Sequence, residues 1–216
     1  MTARRQPTPV VHFTHIDHLA TVIELGLLSD TSAQAAGVLT TEVGNVSIKD
    51  QRRQRPVPLP PGGVVADYVP FYFAPRSPMM FAISRGNVPS YQGGTTRLVY
   101  LLSTLERLDE LGYHPVLTDR NAALHYADYR VFDLADPIDD EFIDWGLMTE
   151  TYWNNTPDEP MRMERRMAEA LVYERVTWDA VTEIGTQSEI VATEVRAILA
   201  SARSSTLVNV RPSWYY

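Results

Sequence analysis

The order of the apolar segments along the chain is the feature that most restricts its fold. Five short runs have the apolar or alternating pattern of β-strands, at residues 10–13, 69–73, 98–102, 168–176 and 206–210. Helical patterns fall between some of these runs and not between others, so the regular strand–helix–strand alternation of a parallel sheet is missing. The sequence therefore predicts an α+β fold rather than a doubly wound sheet.

Capping residues and apolar spacing predict the helices. Asp17 and Thr104 are placed to cap two of them, which end at Gly26 and Gly112 because glycine accepts the backbone conformation that follows a helix. Further helices are expected near residues 121–129, 139–149 and 190–199. Residues 29–55 are polar and irregular and predict a mobile loop, and the proline-rich run at 56–63 excludes regular structure.

Length and composition favour a single domain over residues 1–216. No apolar run is long enough to cross a bilayer, and the N-terminus lacks the hydrophobic stretch of a secretory signal. We therefore expect a cytoplasmic protein with no membrane partner, and a monomer. The absence of cysteine excludes disulfides, a thiol nucleophile and thiolate metal sites.

The net charge of −8 argues against a nucleic-acid ligand, but the basic residues are clustered. One cluster falls within seven positions and a second within five: Lys49, Arg52, Arg53 and Arg55, then Arg162, Arg165 and Arg166. Each cluster can be a solvated surface patch or a binding surface for phosphates, and the pattern alone leaves both interpretations open.

Glu169 is the most informative charged residue. Strand alternation places it on the same face as Leu171 and Tyr173. A carboxylate beside apolar side chains loses its hydration, which is unfavourable unless a partner or a substrate compensates for the loss. Glu169 is therefore either half of a structural ion pair with an arginine or a catalytic carboxylate, and from the pattern alone the ion pair is the more common outcome.

Other polar and aromatic residues suggest a ligand site. His12, Phe13 and Thr14 end the first strand, where they can hold an amide-bearing ligand. The spacing of His12, His15 and His18 resembles a metal site only weakly, and no metal is expected. Aromatic residues able to stack on bases are as well explained by the core: Tyr72, Trp145, Tyr152 and Trp153.

Three motifs taken together resemble the DarT family of DNA ADP-ribosyltransferase toxins of bacterial toxin–antitoxin systems. They are the HFTHID run at residues 12–17, the DYVPFYF and PRSPM runs at residues 67–73 and 75–79, and the RRMAEALVY run at residues 165–173. The terminal Trp214-Tyr215-Tyr216 also matches. The matching segments follow the family order and cover nearly the whole chain. Glycine-rich dinucleotide or phosphate loops and a nucleophile-elbow serine are missing.

The resemblance implies an ADP-ribosyltransferase-like fold, with a split β core and flanking helices, that binds NAD⁺ as co-substrate. It implies that Arg53 and Glu169 are catalytic, with Arg53 also on the pyrophosphate. It implies NAD binding by His12, Phe13, Thr14 and Thr21, and transfer to a base, most often thymine, in single-stranded DNA. Contacts with that DNA are expected from Tyr72, Arg76, Arg120, Asn121 and Trp153. A macrodomain antitoxin that removes the mark is the expected partner.

Two positions depart from the family pattern. Met167 replaces a frequent Gln two residues before the glutamate, and His18 stands where Asn is frequent, with little expected consequence. A polar residue at position 167 helps protein-directed relatives to engage their acceptor, so Met167 disfavours a protein-arginine target. Alternatives are transfer to RNA or protein, bare NAD⁺ hydrolysis, or a non-catalytic module that binds NAD⁺ or nucleic acid. Residues 29–55 are expected to close over the dinucleotide.

Overall fold

The computed structural model describes residue 4, residues 6–135 and residues 138–216, so part of the N-terminal segment considered above lies outside it. The strands are β1 (Pro9–His15), β2 (Leu27–Leu28), β3 (Tyr68–Tyr72), β4 (Leu98–Thr104), β5 (Val116–Thr118), β6 (Tyr129–Val131), β7 (Glu169–Tyr173), β8 (Arg175–Val176), β9 (Glu183–Thr186) and β10 (Leu207–Val210). The helices are α1 (Leu19–Leu25), α2 (Asp30–Ala35), α3 (Val46–Gln54), α4 (Pro78–Ser84), α5 (Leu105–Glu110), α6 (Trp145–Thr149), α7 (Arg162–Arg165) and α8 (Glu189–Ser201).

One eight-stranded sheet organises these elements, in the order β10-β9-β4-β1-β3-β7-β5-β6. Neighbouring strands are antiparallel except β9 and β10, which are parallel. Strand β1 pairs with β4 along its whole length from Pro9 to His15, but it meets β3 only at Val11 and Tyr72. The sheet therefore splits between β1 and β3, and the predicted α+β class with a split β core is confirmed.

Alternation along β1 divides the apolar side chains between two cores. Val10 belongs to the larger core, which includes residues of α1 and α8. Val11 and Phe13 point to the opposite face and pack with Met80 and Ile83 of α4. Because both faces of the strand are buried, its backbone is held firmly at the edge of the split.

Local signals predicted several boundaries. Thr104 caps α5, where its Oγ1 accepts a hydrogen bond of 3.0 Å from the Arg107 N–H, as expected. Helix α1 ends at Gly26, also as expected. Asp17, however, is not the cap of α1. It lies inside a 3₁₀ turn, residues Ile16–His18, and its N–H donates to Nδ1 of His15.

The prediction of an irregular loop at residues 29–55 is wrong. The segment contains α2 and α3, each begun by a side-chain cap. Ser29 Oγ accepts from the Ser32 N–H at 3.1 Å, and Asn45 Oδ1 accepts from the Ser47 N–H at 3.0 Å. No apolar residue of α3 is buried, so the apolar stripe that would have predicted the helix is missing.

The predicted helix near residues 121–129 is also wrong, and the one at 139–149 is too long. Asn121 Oδ1 accepts from the Ala123 N–H at 3.0 Å, a local turn that competes with helix formation, and the segment ends in β6. Of residues 139–149, only the last five form the helix α6. No helix within the described ranges has both the length and the apolar character needed to traverse a lipid bilayer.

Gly26 is expected to be essential for stability because its backbone conformation is one that other residues avoid, and because there is no room for a side chain. Its φ of 85° and ψ of 168° lie in a region that side chains avoid at a cost of roughly 1–3 kcal/mol, and a Cβ would lie 2.7 Å from the Val176 carbonyl oxygen. Gly37 has a φ of 66° but open space around it. In urea unfolding we expect Gly26→Ala to lose clearly more stability than Gly37→Ala, whose loss should be about 1 kcal/mol. Equal losses would contradict the role of the close approach.

Candidate active site

A cavity of about 410 Å³ opens where the sheet splits. It is lined by β1, β3 and the segment that carries α2 and α3. Asn121 and Met167 also line it, and we refer to the part that they line as the Asn121–Met167 end. This cavity therefore lies where a split β core is expected to hold its ligand.

Glu169 and Arg52 form a buried ion pair, and Arg52 is the member of the pair that lines this cavity. Glu169 is the first residue of β7, lies opposite Tyr72 of β3 and Thr118 of β5, and is 1% exposed. Its N–H donates to Thr118 Oγ1 at 3.1 Å. Nη1 of Arg52, which is on α3, donates to both carboxylate oxygens at 2.9 and 3.0 Å. The strands thus fix the carboxylate, and α3 brings the cation to it.

The guanidinium of Arg52 is charged and incompletely bonded. Burial opposes its charge, but the Glu169 carboxylate outweighs burial and raises the pKa of Arg52. Nη2 of Arg52 is buried and has no hydrogen-bond partner among the described residues. Because an orphaned buried donor is unfavourable, the site has a donor ready for an acceptor oxygen on a ligand.

The structure brings Arg52, and not Arg53, to Glu169. Arg53 instead donates to Asp30 at 2.8 Å and to Asp50 at 2.7 Å, with its side chain 35% exposed. Successive residues on a helix point about 100° apart, so only one arginine of the pair can face the sheet. Sequence reasoning therefore singled out this arginine pair, but it expected the catalytic role from Arg53, and the structure places Arg52 against Glu169.

The residues expected to bind NAD⁺ line the cavity together: His12, Phe13, Thr14 and Thr21. His12 Nδ1 lies 2.7 Å from the Pro70 carbonyl oxygen, which can only accept, so Nδ1 carries the proton and Nε2 keeps its lone pair. Burial lowers the pKa of His12 to about 4. His12 is therefore a neutral acceptor at physiological pH and does not repel a cationic ring.

The aromatic side chains beside Glu169 are packed on one another. Phe13 and Tyr72 stack with their ring centroids 6.4 Å apart and an angle of 15° between the planes. Burial and the charge of Glu169 raise the pKa of Tyr72. Tyr72 is thus a neutral wall of the cavity next to the ion pair.

Asn121 and Met167 form a mixed polar and apolar end of the cavity. Asn121 Nδ2 lies 3.9 Å from Met167 Sδ, a weak contact that leaves the amide free to bond a stronger acceptor. Asn121 Oδ1 is held by the Ala123 N–H. The arrangement offers one fixed amide donor beside a flat apolar surface.

The remaining residues expected to contact DNA are placed differently. Arg76 lies with its guanidinium 4.3 Å from the centre of the Tyr216 ring. Arg120 is paired with Asp119 at 2.7 Å. Trp153 is only 4% exposed and its indole N–H donates to Tyr216 Oη at 2.8 Å, which corrects the expectation of an open stacking platform there. Its neighbour Tyr152 is 81% exposed.

Comparison with known proteins identifies the family of the chain that forms this cleft. The family model described as "ssDNA thymidine ADP-ribosyltransferase, DarT" matches residues 11–216. The chain belongs to the DarT family. A DNA ADP-ribosyl transferase from Thermus sp. (strain 2.9) is 36% identical over 213 residues, which are 98% of this chain and 97% of that protein. One from Mycobacterium tuberculosis is 34% identical over 96% of this chain and 88% of its own length.

Solved DarT structures share the whole fold. Thermus sp. 2.9 DarT in complex with ADP-ribosylated ssDNA superposes with a TM-score of 0.88 at 34% identity, over 100% of this chain and 99% of that one. The same protein in complex with NAD⁺ gives a TM-score of 0.84 at 34% identity, over 98% and 99% of the two chains. The expected ADP-ribosyltransferase-like fold is therefore confirmed for this DarT chain. Within the described residues, no cluster of three or more His, Asp or Glu is arranged to hold a metal ion.

The two arginines of this DarT chain should differ sharply in their effect on stability. Arg52→Met leaves the Glu169 carboxylate buried without its partner, which typically costs about 3–5 kcal/mol. Arg53→Met breaks only half-exposed pairs, worth about 0–1 kcal/mol. Urea unfolding of both variants measures the difference. The double variant Arg52→Met/Glu169→Gln should recover part of the loss, and equal losses in the two single variants would contradict the observed pairing.

Proposed function

We propose that this chain transfers ADP-ribose from NAD⁺ to a thymine base of single-stranded DNA and releases nicotinamide. The observation that carries the proposal is the Arg52–Glu169 pair at the split of the sheet, with one buried donor of Arg52 left unpaired. The net reaction breaks the bond between nicotinamide and ribose, forms a bond from the anomeric carbon to the base, and releases the proton of the base.

Glu169 is proposed to stabilise the cationic sugar. Breaking the bond to nicotinamide creates oxocarbenium character at the anomeric carbon, as in glycoside cleavage. A fixed carboxylate that accepts from the ribose 2′-hydroxyl stabilises this charge more than it stabilises the ground state. The backbone of Glu169 is anchored on both sides, by β3 and by Thr118 of β5, so little reorganisation is needed.

Arg52 is proposed to act on the acceptor base in place of the expected Arg53. A guanidinium is a poor proton acceptor, so we assign it electrostatic stabilisation of the deprotonated imide. Its buried Nη2 can donate to the developing anion while Nη1 holds Glu169. One side chain thereby aligns the two reacting partners. Arg53 is proposed to hold α3 in place through Asp30.

The cofactor side of the cleft is proposed to be the β1 wall. The lone pair on His12 Nε2 can accept from the nicotinamide amide, and the neutral imidazole suits a pyridinium ring. Thr14 and Thr21 supply hydroxyl groups on the same wall. Phe13 backs this wall by stacking on Tyr72.

The acceptor side is proposed to be the end formed by Asn121 and Met167. A thymine has a flat apolar face and carbonyl oxygens, which match the thioether of Met167 and the amide donor of Asn121. A protein arginine would need an anionic or carbonyl acceptor instead. Tyr72 also lines the cavity, and Arg76 follows it closely in the chain, so we propose that neighbouring nucleotides pass along these residues.

A macrodomain antitoxin is proposed as the partner. This part of the proposal rests on the family resemblance: an enzyme that marks DNA bases is harmful unless the mark is removed. Adding a macrodomain hydrolase to the modified oligonucleotide should restore its original mass. A mark that no such enzyme removes would contradict this assignment.

Transfer should depend on Glu169 and Arg52 and hardly on Arg53. Incubation with NAD⁺ and a thymine-containing single-stranded oligonucleotide should add the mass of one ADP-ribose, whereas RNA and protein acceptors should stay unmodified. Glu169→Gln keeps the size but removes the charge, and Arg52→Lys loses the planar fork. Each should slow transfer by about 10²–10³-fold. Arg53→Lys should remain close to the unchanged protein.

The outcomes separate the roles of the residues from the proposed reaction. Loss of transfer in Arg53→Lys with full activity in Arg52→Lys would reverse the assignment of the two arginines. Nicotinamide release without any modified oligonucleotide would leave an NAD⁺ hydrolase and remove the DNA reaction.

Asn121 should affect the acceptor and not the cofactor. We expect Asn121→Ala to raise the KM for the oligonucleotide by about tenfold, since leaving a buried hydrogen-bonding group without its partner costs roughly 1–3 kcal/mol. The KM for NAD⁺ should not change. Met167→Leu, which keeps the apolar surface, is the matched control and should change neither constant much. A change in the KM for NAD⁺ alone would refute the assignment of this end to the base.

A further inference from the structure

The loop at residues 36–45, between α2 and α3, forms one side of the cavity through Val38, Leu39 and Thr41. In the described part of the chain, two hydrogen bonds tie this loop to the body of the protein. The Thr41 N–H donates to His18 Nε2 at 3.1 Å, and Ser90 Oγ donates to the Gly44 carbonyl oxygen at 2.7 Å. The loop is therefore held at its middle by a histidine and near its end by a serine.

The contact with Thr41 fixes the protonation state of His18. A backbone N–H can only donate, so Nε2 of His18 must carry a lone pair. Nδ1 then carries the proton and donates to Thr14 Oγ1 at 3.1 Å. A doubly protonated ring has no acceptor and must release the Thr41 N–H. The observed position of the loop therefore requires neutral His18.

The surroundings of His18 favour this neutral form. The side chain is buried, and burial lowers its pKa. The ring of His15, whose centroid is 6.2 Å away and whose plane is inclined by 67°, acts in the same direction. The other titratable groups that face it are Asp17 and Glu42, which raise the pKa, Lys49, which lowers it, and the neutral His12 of β1. The carboxylate of Glu42 is itself neutralised by Lys49.

The geometry points to His18 as a positioning residue whose neutral ring latches the 36–45 loop onto β1 and thereby holds the cleft closed on its dinucleotide. Protonation of the ring opens the latch and weakens binding of NAD⁺. This inference rests on the proposed function for the identity of the ligand, but the latch itself exists without it. The sequence alone suggested little consequence for a histidine instead of asparagine at position 18, whereas the latch depends on this histidine.

The direction of the pH dependence follows from the lowered pKa. His18 in the closed loop has a pKa below its ordinary value of 6.5, and in the released loop the ring regains water and its ordinary value. The latch is therefore complete above about pH 6.5. The latch is lost as the pH falls through the lowered pKa. Over this range the ratio of closed to open loop decreases by up to about tenfold for each pH unit.

Two substitutions separate the latch from general stability. Gln places its amide oxygen near the position of Nε2, so His18→Gln can still accept from Thr41 but cannot titrate. Asn reaches only the position of Nδ1, so His18→Asn keeps a contact with Thr14 and loses Thr41. Ser90→Ala removes the second tether and leaves His18 unchanged, so it is the matched control.

The direct measurement is hydrogen exchange of the Thr41 amide without substrate, corrected for the intrinsic rate, at about pH 5.5 and about pH 7.5, on either side of the ordinary histidine pKa. Protection should be lower at the acidic pH in the unchanged protein and in Ser90→Ala. It should be equal at the two values in His18→Gln and low at both in His18→Asn. The KM for NAD⁺ should be higher wherever the protection of Thr41 is lower, while kcat at saturating NAD⁺ changes little.

The same pH dependence in His18→Gln as in the unchanged protein would overturn the inference, and so would full protection of Thr41 in His18→Asn. If a variant does not fold, ¹⁵N NMR of the unchanged protein decides. His18 should then be observed as the Nδ1–H tautomer, and its titration should coincide with the loss of protection at Thr41; separate midpoints would refute the latch. Because exchange needs no substrate, a protein that shows the latch but never modifies DNA would refute the proposed function alone.

Discussion

The ion pair between Arg52 and Glu169 is the interaction on which the cleft depends. The carboxylate belongs to the sheet, where Tyr72 and Thr118 flank it on neighbouring strands, whereas the guanidinium belongs to a helix outside the sheet. Transfer of both charges from water is unfavourable, and the pair compensates this only in part because Nη2 of Arg52 is left without a partner. A ligand that binds here with an acceptor atom facing Nη2 therefore also satisfies this unpaired buried donor of Arg52.

The rest of the α2–α3 segment serves to present Arg52 at the correct angle. Asp30 on α2 binds both Lys49 and Arg53 on α3, so one carboxylate joins the two helices. Lys49 also pairs with Glu42 in the loop between them. These ion pairs are partly exposed and individually weak. Acting together on one short segment, they restrict the rotation of α3, and that rotation decides which arginine faces the strands.

Several helix boundaries that one residue marks were predicted correctly, although Asp17 proved not to be the cap of α1. Features that depend on the orientation of whole elements were not predicted. Thr104 begins α5 through a local hydrogen bond, and Gly26 ends α1 because glycine adopts the backbone conformation required there. The neighbouring sequence was therefore enough to predict both boundaries. The choice between Arg52 and Arg53 depends on how α3 is turned toward the sheet, and α3 has no buried apolar side chain that would indicate its orientation. Ser29 and Asn45 were the available signals for the helices missed at residues 29–55. The buried position of Trp153 depends on Tyr216, which is 63 residues away in sequence.

The acidic composition and a polyanionic substrate are compatible because charge is compensated locally at the cleft. The carboxylates of Glu169, Asp30 and Glu42 are each paired with a cation. The guanidinium groups of Arg76 and Arg85 instead lie over the rings of Tyr216 and Phe81, at 4.3 and 5.1 Å. An arginine that rests on an aromatic ring keeps its N–H groups available at the ring edge. These guanidinium groups offset the net negative charge of the whole chain locally, since charges beyond about 8 Å are screened at physiological ionic strength.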